Sequence, residues 1–188
     1  MKGNSHRALG EYLAGRFLTE AAPRYTRAFL LGCVEPDHNP STYLKGSIRS
    51  QWLHGHNWGN SECLICRFSN RLERRRTLHL WDYYTLGKLV HYTADAFTSV
   101  HNAHFSAGLR HHRMYEKALQ NHFLQNIDLK EPGDLSGEDS LFSLLCSFHA
   151  EYSEVPSNIY TDTHYVLSAC SAVVAMVLRS SQPVCGKL

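Results

Sequence analysis

The sequence lacks a marked excess of charge of either sign, and it lacks a long uninterrupted apolar run. Its 188 residues carry 19 Lys and Arg against 17 Asp and Glu, which gives a formal net charge of +2. So small a charge does not indicate a polyanionic partner, and a nucleic acid is therefore not an expected partner. No apolar stretch approaches the roughly 20 residues of a membrane span, so no transmembrane segment is predicted and any membrane contact is expected to be peripheral.

The sequence also lacks the dense cysteine spacing of a secreted disulfide scaffold. Its six cysteines stand at positions 33, 63, 66, 146, 170 and 185, mostly within apolar stretches, and we expect them to be reduced thiols. No secretory segment is evident, because the first apolar patch, residues 8–18, is interrupted by Glu11 and Arg16. These absences together predict a cytoplasmic location.

Few stretches show the strict alternation of apolar and polar residues that a half-buried strand requires. The chain instead predicts helices separated by loops rich in Gly, Pro and Asn, and the last helix, at about 161–180, is almost uncharged. The predicted fold class is all-α, a single domain over residues 1–188 that forms a bundle of about seven helices with a metal cluster. Pro36 and Pro40 are expected to end the second helix, which places Asp37 and His56 in a long polar loop.

Histidine is the residue that the sequence has in excess, with 13 copies. Imidazole is the commonest metal ligand in proteins, so metal binding is the first function to consider. The segment HYTADAFTSVH, residues 91–101, places His91, Asp95 and His101 in an otherwise apolar run. Burying such side chains costs several kcal/mol unless a partner or a metal compensates, so this run requires an explanation.

The spacing of these residues predicts two metal half-sites. His91 and Asp95 are four residues apart, so both lie on one helix face and can bind one cation, and His112 and Glu116 repeat that spacing on the next helix. His101 lies about 240° round an ideal helix from Asp95, so we expect it to serve the second metal. The helix is expected to bend or end in the β-branched stretch just before His101. Two neighbouring metals would polarise a phosphoryl group and activate a water, which suits hydrolysis of a phosphate ester.

The order His91-x3-Asp95-x5-His101, followed by His112-x3-Glu116, resembles the zinc-dependent phospholipase C family, helical bacterial enzymes that are similar to P1-type single-strand nucleases. Three upstream segments add to the resemblance. GCVEPD at 32–37 resembles the segment that supplies the family's aspartate ligand, GHNW at 55–58 resembles its next histidine, and NSH at 4–6 resembles its amino-terminal histidine. His54 stays open as an alternative to His56.

The resemblance implies two or three zinc ions per chain. One ion would be bound by Asp37, His56, His91 and Asp95, and another would be bound by His101, His112 and Glu116. Asp95 would bridge to a third ion that also takes His6. Asp37 is the expected catalytic residue, as the base that accepts a proton from water, and a role as a metal ligand alone is equally open.

The expected activity is that of a zinc-dependent phosphoric ester hydrolase similar to phospholipase C, in which a metal-bound hydroxide attacks a phospholipid phosphodiester. A phospholipid or another small phosphoester is the expected substrate. One alternative is a nuclease or nucleotidase of the P1-like class, which base-stacking aromatic side chains beside the metals would favour. Another is a noncatalytic helical protein that its metals stabilise. The sequence predicts no particular oligomeric state.

Overall fold

Seven helices make up the part of the chain that the structure, a computed structural model, describes, namely residues 1, 3–39, 58–101, 109–127 and 140–181. They are α1 (Gly3–Phe17), α2 (Pro23–His38), α3 (Trp58–Glu73), α4 (Leu80–Ala96), α5 (Leu109–Asn126), α6 (Leu141–Glu154) and α7 (Ile159–Ser180). A short 3₁₀ turn, Ser99–His101, follows α4. The described residues contain no strand, and the prediction of an all-α fold is confirmed.

The most extensive helix contact is between α2 and α4. Gly32 and Gly87 meet at this contact, where a Cβ added at Gly32 would lie 2.2 Å from the carbonyl oxygen of Tyr84. A Cβ at Gly87 would lie 2.1 Å from the carbonyl oxygen of Phe29. No side chain fits in so small a space, so the two glycines allow the helix backbones to touch. As a result, the last turns of α2 and α4 lie side by side, and the candidate site forms there.

The end of α2 differs from the prediction. Pro36 does not end this helix, which continues to His38 and buries Pro36 within its last turns. A proline removes one backbone donor from the helical ladder, but the helix continues beyond it to a regular end, where the amide of Asn39 donates to the carbonyl of Glu35 at 3.1 Å. Packing against α4 offsets the missing bond. Asp37 therefore lies on a helix and not in a loop.

The central core helix is α7, as its lack of charge suggests. It packs against α4, α5 and α6, and Val166, Ala169 and Val173 are fully buried. By length and composition α7 is also apolar enough to cross a membrane, so the expectation that no stretch approaches a membrane span was too strict. However, 67% of its most apolar window is buried inside the fold, and the core helix of a globular domain passes the same test.

The cysteines that the structure describes are free thiols, at positions 33, 63, 66, 146 and 170. Cys33 and Cys170 lie fully in the core, where burial raises the pKa of both thiols. The thiol of Cys170 donates to the carbonyl of Val90 at 3.6 Å. Both side chains therefore serve as small packing residues between the helices.

Candidate metal centre

Four of the eight predicted metal ligands come together at the ends of three helices. His6 comes from α1, Asp37 from the last turn of α2, and His91 and Asp95 from α4. One ligand atom from each of the four side chains lies within 4.8 Å of the others. His6, His91 and Asp95 are buried, while Asp37 is half-buried. The geometry is that of a potential binding site for a cation.

The orientation of His91 is fixed by the backbone of α2. Its Nδ1 donates a hydrogen bond to the carbonyl oxygen of Cys33 at 2.9 Å. Because a carbonyl can only accept, a proton lies on Nδ1, and in the neutral form of the ring Nε2 offers its lone pair to the site. Nε2 lies 3.6 Å from Oδ1 of Asp37 and 3.4 Å from Oδ2 of Asp95. Nε2 of His91 and the two carboxylate oxygens thus face one another, and a cation or a proton between them would stabilise this arrangement.

The surroundings of His6 determine the protonation state of its ring. Its ring stacks on that of His91, with centroids 3.8 Å apart, and both rings are fully buried. Nε2 lies 3.2 Å from Oδ1 of Asp95, yet among the described residues neither ring nitrogen makes a well-aligned hydrogen bond. Burial, reinforced by the neighbouring His91, lowers the pKa of His6 to about 3. The ring is therefore neutral near pH 7, which is the form that binds metals.

Asp95 lies at the centre of the cluster. Its Oδ1 accepts a hydrogen bond from the amine of Met1 and lies near His6, while its Oδ2 lies near His91. Both oxygens of one carboxylate therefore point at different members of the site. A carboxylate in this position can bind a cation on either side.

The four side chains fit a zinc ion. A set of His and carboxylate ligands without thiolate is typical of catalytic zinc sites. Ligand atoms about 2.0–2.1 Å from a tetrahedral zinc lie roughly 3.3 Å from one another. The separations of 3.2, 3.4 and 3.6 Å measured around His6, His91 and the two aspartates are close to that value. The ring nitrogens of His6 supply an independent indication, because neither makes a well-aligned hydrogen bond among the described residues and a buried imidazole without one is costly.

The last turn of α2 is held against α4 by an ion pair between Glu35 and Lys88. Glu35 lies 3.1 Å from the ammonium group of Lys88 and accepts a hydrogen bond from Asn39 at 2.7 Å. Burial alone would raise the pKa of Glu35, but the hydrogen bonds from Asn39 and Lys88 outweigh it and lower the pKa. The ion pair stands two residues before Asp37 and helps to fix its helix turn.

The structure does not test metal binding by the other four predicted ligands. His56 and its alternative His54 lie outside the described residues. His101 stands on the 3₁₀ turn after α4, which ends at Ala96, shortly before the β-branched stretch where the helix was expected to bend or end. His112 and the half-buried Glu116 stand on α5. Metal binding by these residues stays a prediction. The resemblance assigns His6 to a third ion, whereas the structure places it in one group with Asp37, His91 and Asp95.

One buried carboxylate near these positions was missed by the sequence analysis. Asp162, in the first turn of α7, is fully buried and accepts hydrogen bonds from both the backbone amide and the hydroxyl of Ser99. Burial raises the pKa of Asp162, although the hydrogen bonds from Ser99 oppose this effect. The available signal was a lone carboxylate near the start of an almost uncharged helix.

A comparison with protein families supports the assignment of the fold. The family profile described as zinc dependent phospholipase C matches residues 5–165. Comparisons with curated proteins and with solved structures found no match. The family match runs from α1 into α7 and includes all four residues of the buried cluster. This protein therefore belongs to the zinc-dependent phospholipase C family.

Proposed function

We propose that this protein is a zinc-dependent hydrolase that cleaves the phosphodiester of a phospholipid in the manner of a phospholipase C. The observation that carries the proposal is the buried cluster of His6, Asp37, His91 and Asp95, in which ring nitrogens and carboxylate oxygens converge within 4.8 Å of one another, beside the amino group of Met1. Family membership supplies the reaction class. Two or three zinc ions per chain, with the further ligands His56, His101, His112 and Glu116, remain part of the proposal.

Each residue of the cluster has a distinct part in the proposed reaction. Zinc, when bound, supplies a Lewis acid that polarises the phosphoryl oxygen and lowers the pKa of water. The carbonyl of Cys33 holds His91 in the tautomer that offers Nε2 to the site. Asp37 is the most accessible carboxylate, with 21% of its side chain exposed against 3% for Asp95. This greater exposure supports Asp37 as the residue that accepts a proton from an incoming water.

The proposal also includes a substrate class and a location for the protein. A phospholipid substrate implies peripheral contact with a membrane surface, and a cytoplasmic location would restrict that contact to the inner leaflet and to internal membranes. The formal net charge of +2 supplies no general attraction for nucleic acid. A phospholipid is therefore favoured over a polynucleotide as substrate.

The proposal is tested by metal analysis and a panel of phosphoesters on the same purified protein. The panel contains phosphatidylcholine and phosphatidylinositol vesicles, a short-chain soluble phospholipid, a dinucleotide and a mononucleotide. We expect bound zinc, a melting temperature that falls on chelation and recovers with zinc, and hydrolysis of the phospholipids. The His91→Ala variant should lose zinc and activity, while His38→Ala, which alters an exposed residue of the same region, should retain both.

The panel also separates the alternatives. Faster hydrolysis of the nucleotides than of the phospholipids would assign the protein to the P1-like class. Zinc-dependent stabilisation without hydrolysis of any substrate would favour the noncatalytic alternative. A melting temperature that responds neither to chelation nor to zinc would contradict the metal site itself.

A further inference from the structure

The carboxylate of Asp162 joins four elements of the fold. Its Oδ1 accepts hydrogen bonds from the hydroxyls of Ser99, at 2.5 Å, and Tyr152, at 2.8 Å. Its Oδ2 accepts from the backbone amide of Ser99, at 2.8 Å, and from the hydroxyl of Tyr115, at 2.9 Å. Ser99 belongs to the 3₁₀ turn, Tyr115 to α5, Tyr152 to α6 and Asp162 to α7. One side chain therefore connects the turn after α4 to three helices.

This arrangement is more than packing requires. An ionisable group in the core costs several kcal/mol if its partners are missing, and none of the ion pairs among the described residues includes Asp162. Apolar residues of similar volume often replace buried charged groups without loss of stability. Four neutral donors aimed at one carboxylate instead define a fixed geometry. The question is which part of the molecule needs that geometry.

The donors lie beside the predicted ligands of the second metal. Ser99 stands two residues before His101, and Tyr115 stands immediately before Glu116 and three residues after His112. A 3₁₀ turn of three residues is not stable by itself, and α4 has already ended at Ala96, so the turn needs support from outside. Asp162 supplies it through the amide and the hydroxyl of Ser99.

We propose that Asp162 is a positioning residue for the second metal, because it holds the Ser99–His101 turn at a fixed separation from α5. The backbone positions of His101, His112 and Glu116 are thereby kept where three ligands can share one ion. This inference rests on the proposed function, which supplies the second metal. Ligand sets tolerate displacements of only about 0.5 Å, so a loosened turn would weaken binding of that ion.

The two tyrosines provide a matched pair of variants. Tyr115→Phe and Tyr152→Phe each remove one hydroxyl and one hydrogen bond to Asp162. Only Tyr115 lies on a helix that carries predicted ligands, since α6 carries none. Both changes should lower the stability of the fold. Displacement of the predicted ligands of the second metal should follow mainly from Tyr115→Phe. Asp162→Asn completes the set, because it keeps one acceptor oxygen and replaces the other with an NH2 group, which cannot accept a hydrogen bond from any of the four donors.

Zinc binding is measured by titration of the zinc-free protein against a chromophoric chelator, together with the melting temperature of each zinc-free variant. We expect the parent to bind a first and a second equivalent. Tyr115→Phe and Asp162→Asn should weaken binding of the second equivalent by about tenfold or more, as removal of supporting groups around ligands typically does. Tyr152→Phe should leave that affinity nearly unchanged, and the first equivalent should bind normally in all variants.

Three results would overturn the inference. A second equivalent that binds Tyr115→Phe and Asp162→Asn as tightly as the parent would show that Asp162 does not position the site. Equal losses of affinity in Tyr115→Phe and Tyr152→Phe would show a structural role only. A parent that binds a single zinc would remove the second site altogether. Phosphoesterase activity of the parent, measured separately, tests the proposed function independently of the first two results.

Discussion

The carbonyl oxygen of Cys33 accepts a hydrogen bond from Nδ1 of His91 at 2.9 Å. Through this bond, α2 contributes to the candidate site twice, since it carries Asp37 and also orients the histidine of α4. The bond is possible only because the residue next to Cys33 is Gly32, which lets the two helix backbones touch. Close approach of α2 and α4 is therefore a condition for the metal site and not only a feature of the core.

We predict that Gly87→Ala destabilises the fold and disrupts the cluster. The new Cβ would lie 2.1 Å from the carbonyl oxygen of Phe29 and 2.8 Å from the amide of Cys33, so the helices must separate. Overpacking of this kind costs about 1–3 kcal/mol, measurable by chemical unfolding, and the first zinc equivalent should bind more weakly. Gly15→Ala is the control, because among the described residues its added Cβ would meet no atom outside its own stretch of helix within 4 Å. There, stability should rise by about 0.5–1 kcal/mol. Unchanged stability of Gly87→Ala would contradict the helix contact.

The sequence predicted best those parts of the site that one helix determines. His91 and Asp95 are four residues apart on α4, and helical periodicity alone places them together. Asp37 was predicted to lie in a loop but lies in a helix. The packing of α2 on α4 outweighs the local rule that a proline ends a helix. The sequence around Pro36 does not indicate that packing.

Contacts between distant segments were the least predictable. His6 entered the predicted ligand set only through the family resemblance, and its stacking on His91 depends on how α1 packs on the other helices. Asp162 was missed because its partners, Ser99, Tyr115 and Tyr152, are spread over three other elements. No spacing rule connects such positions. The fold must be known before the network can be recognised.

We predict that His91→Ala and His112→Ala each remove a different zinc ion. His91 lies between Asp37 and Asp95 in the buried cluster, so its loss should empty that site. His112 stands on α5 and belongs to the predicted second ligand set. Metal analysis should show one ion fewer than the parent in each variant and two fewer in the double variant. Full metal content in either single variant would mean that its histidine is not a ligand.

We predict that His149 makes the stability of the fold depend on pH in the mildly acidic range. Its ring stacks on Trp58 with centroids 4.1 Å apart, and its Nε2 has no hydrogen-bond partner among the described residues. Burial lowers the pKa of His149 to about 4. In the unfolded chain the pKa of His149 is about 6.5. Between about pH 6.5 and pH 4, therefore, His149 takes up a proton only in the unfolded chain, and the free energy of unfolding falls as the pH decreases through this window.

His149→Phe should reduce that pH dependence, because phenylalanine can keep the stack on Trp58 and does not titrate. The midpoint of urea unfolding of zinc-free protein should fall less steeply in the variant than in the parent between about pH 6.5 and pH 4.5. His6, whose pKa is also lowered by burial, contributes equally to both proteins and cancels in the comparison. Identical slopes for the parent and the variant would show that His149 is not the responsible group.

Asp37 is the residue whose replacement should separate turnover from folding. Its side chain is the most exposed of the cluster, at 21%, and its Oδ1 lies 3.6 Å from Nε2 of His91. Asp37→Asn keeps the volume and one acceptor oxygen but loses the negative charge that accepts a proton from water. Hydrolysis should fall by about 100-fold or more, the usual size of a general base contribution, while the melting temperature changes little.

The metal content of the same Asp37→Asn sample distinguishes loss of a base from loss of a metal ligand, since Asp37 is also a predicted ligand. With full zinc occupancy, a large fall in activity assigns the loss to the missing base. A parallel loss of zinc would instead assign Asp37 to metal binding alone. His38→Ala is the control, because the hydrogen bond that this exposed neighbour makes among the described residues stays within its own helix turn, from Nδ1 to the carbonyl of Val34 at 2.9 Å. Near-normal hydrolysis by fully loaded Asp37→Asn would exclude the base role, because a carboxylate that takes a proton in the reaction cannot be replaced by an amide without cost.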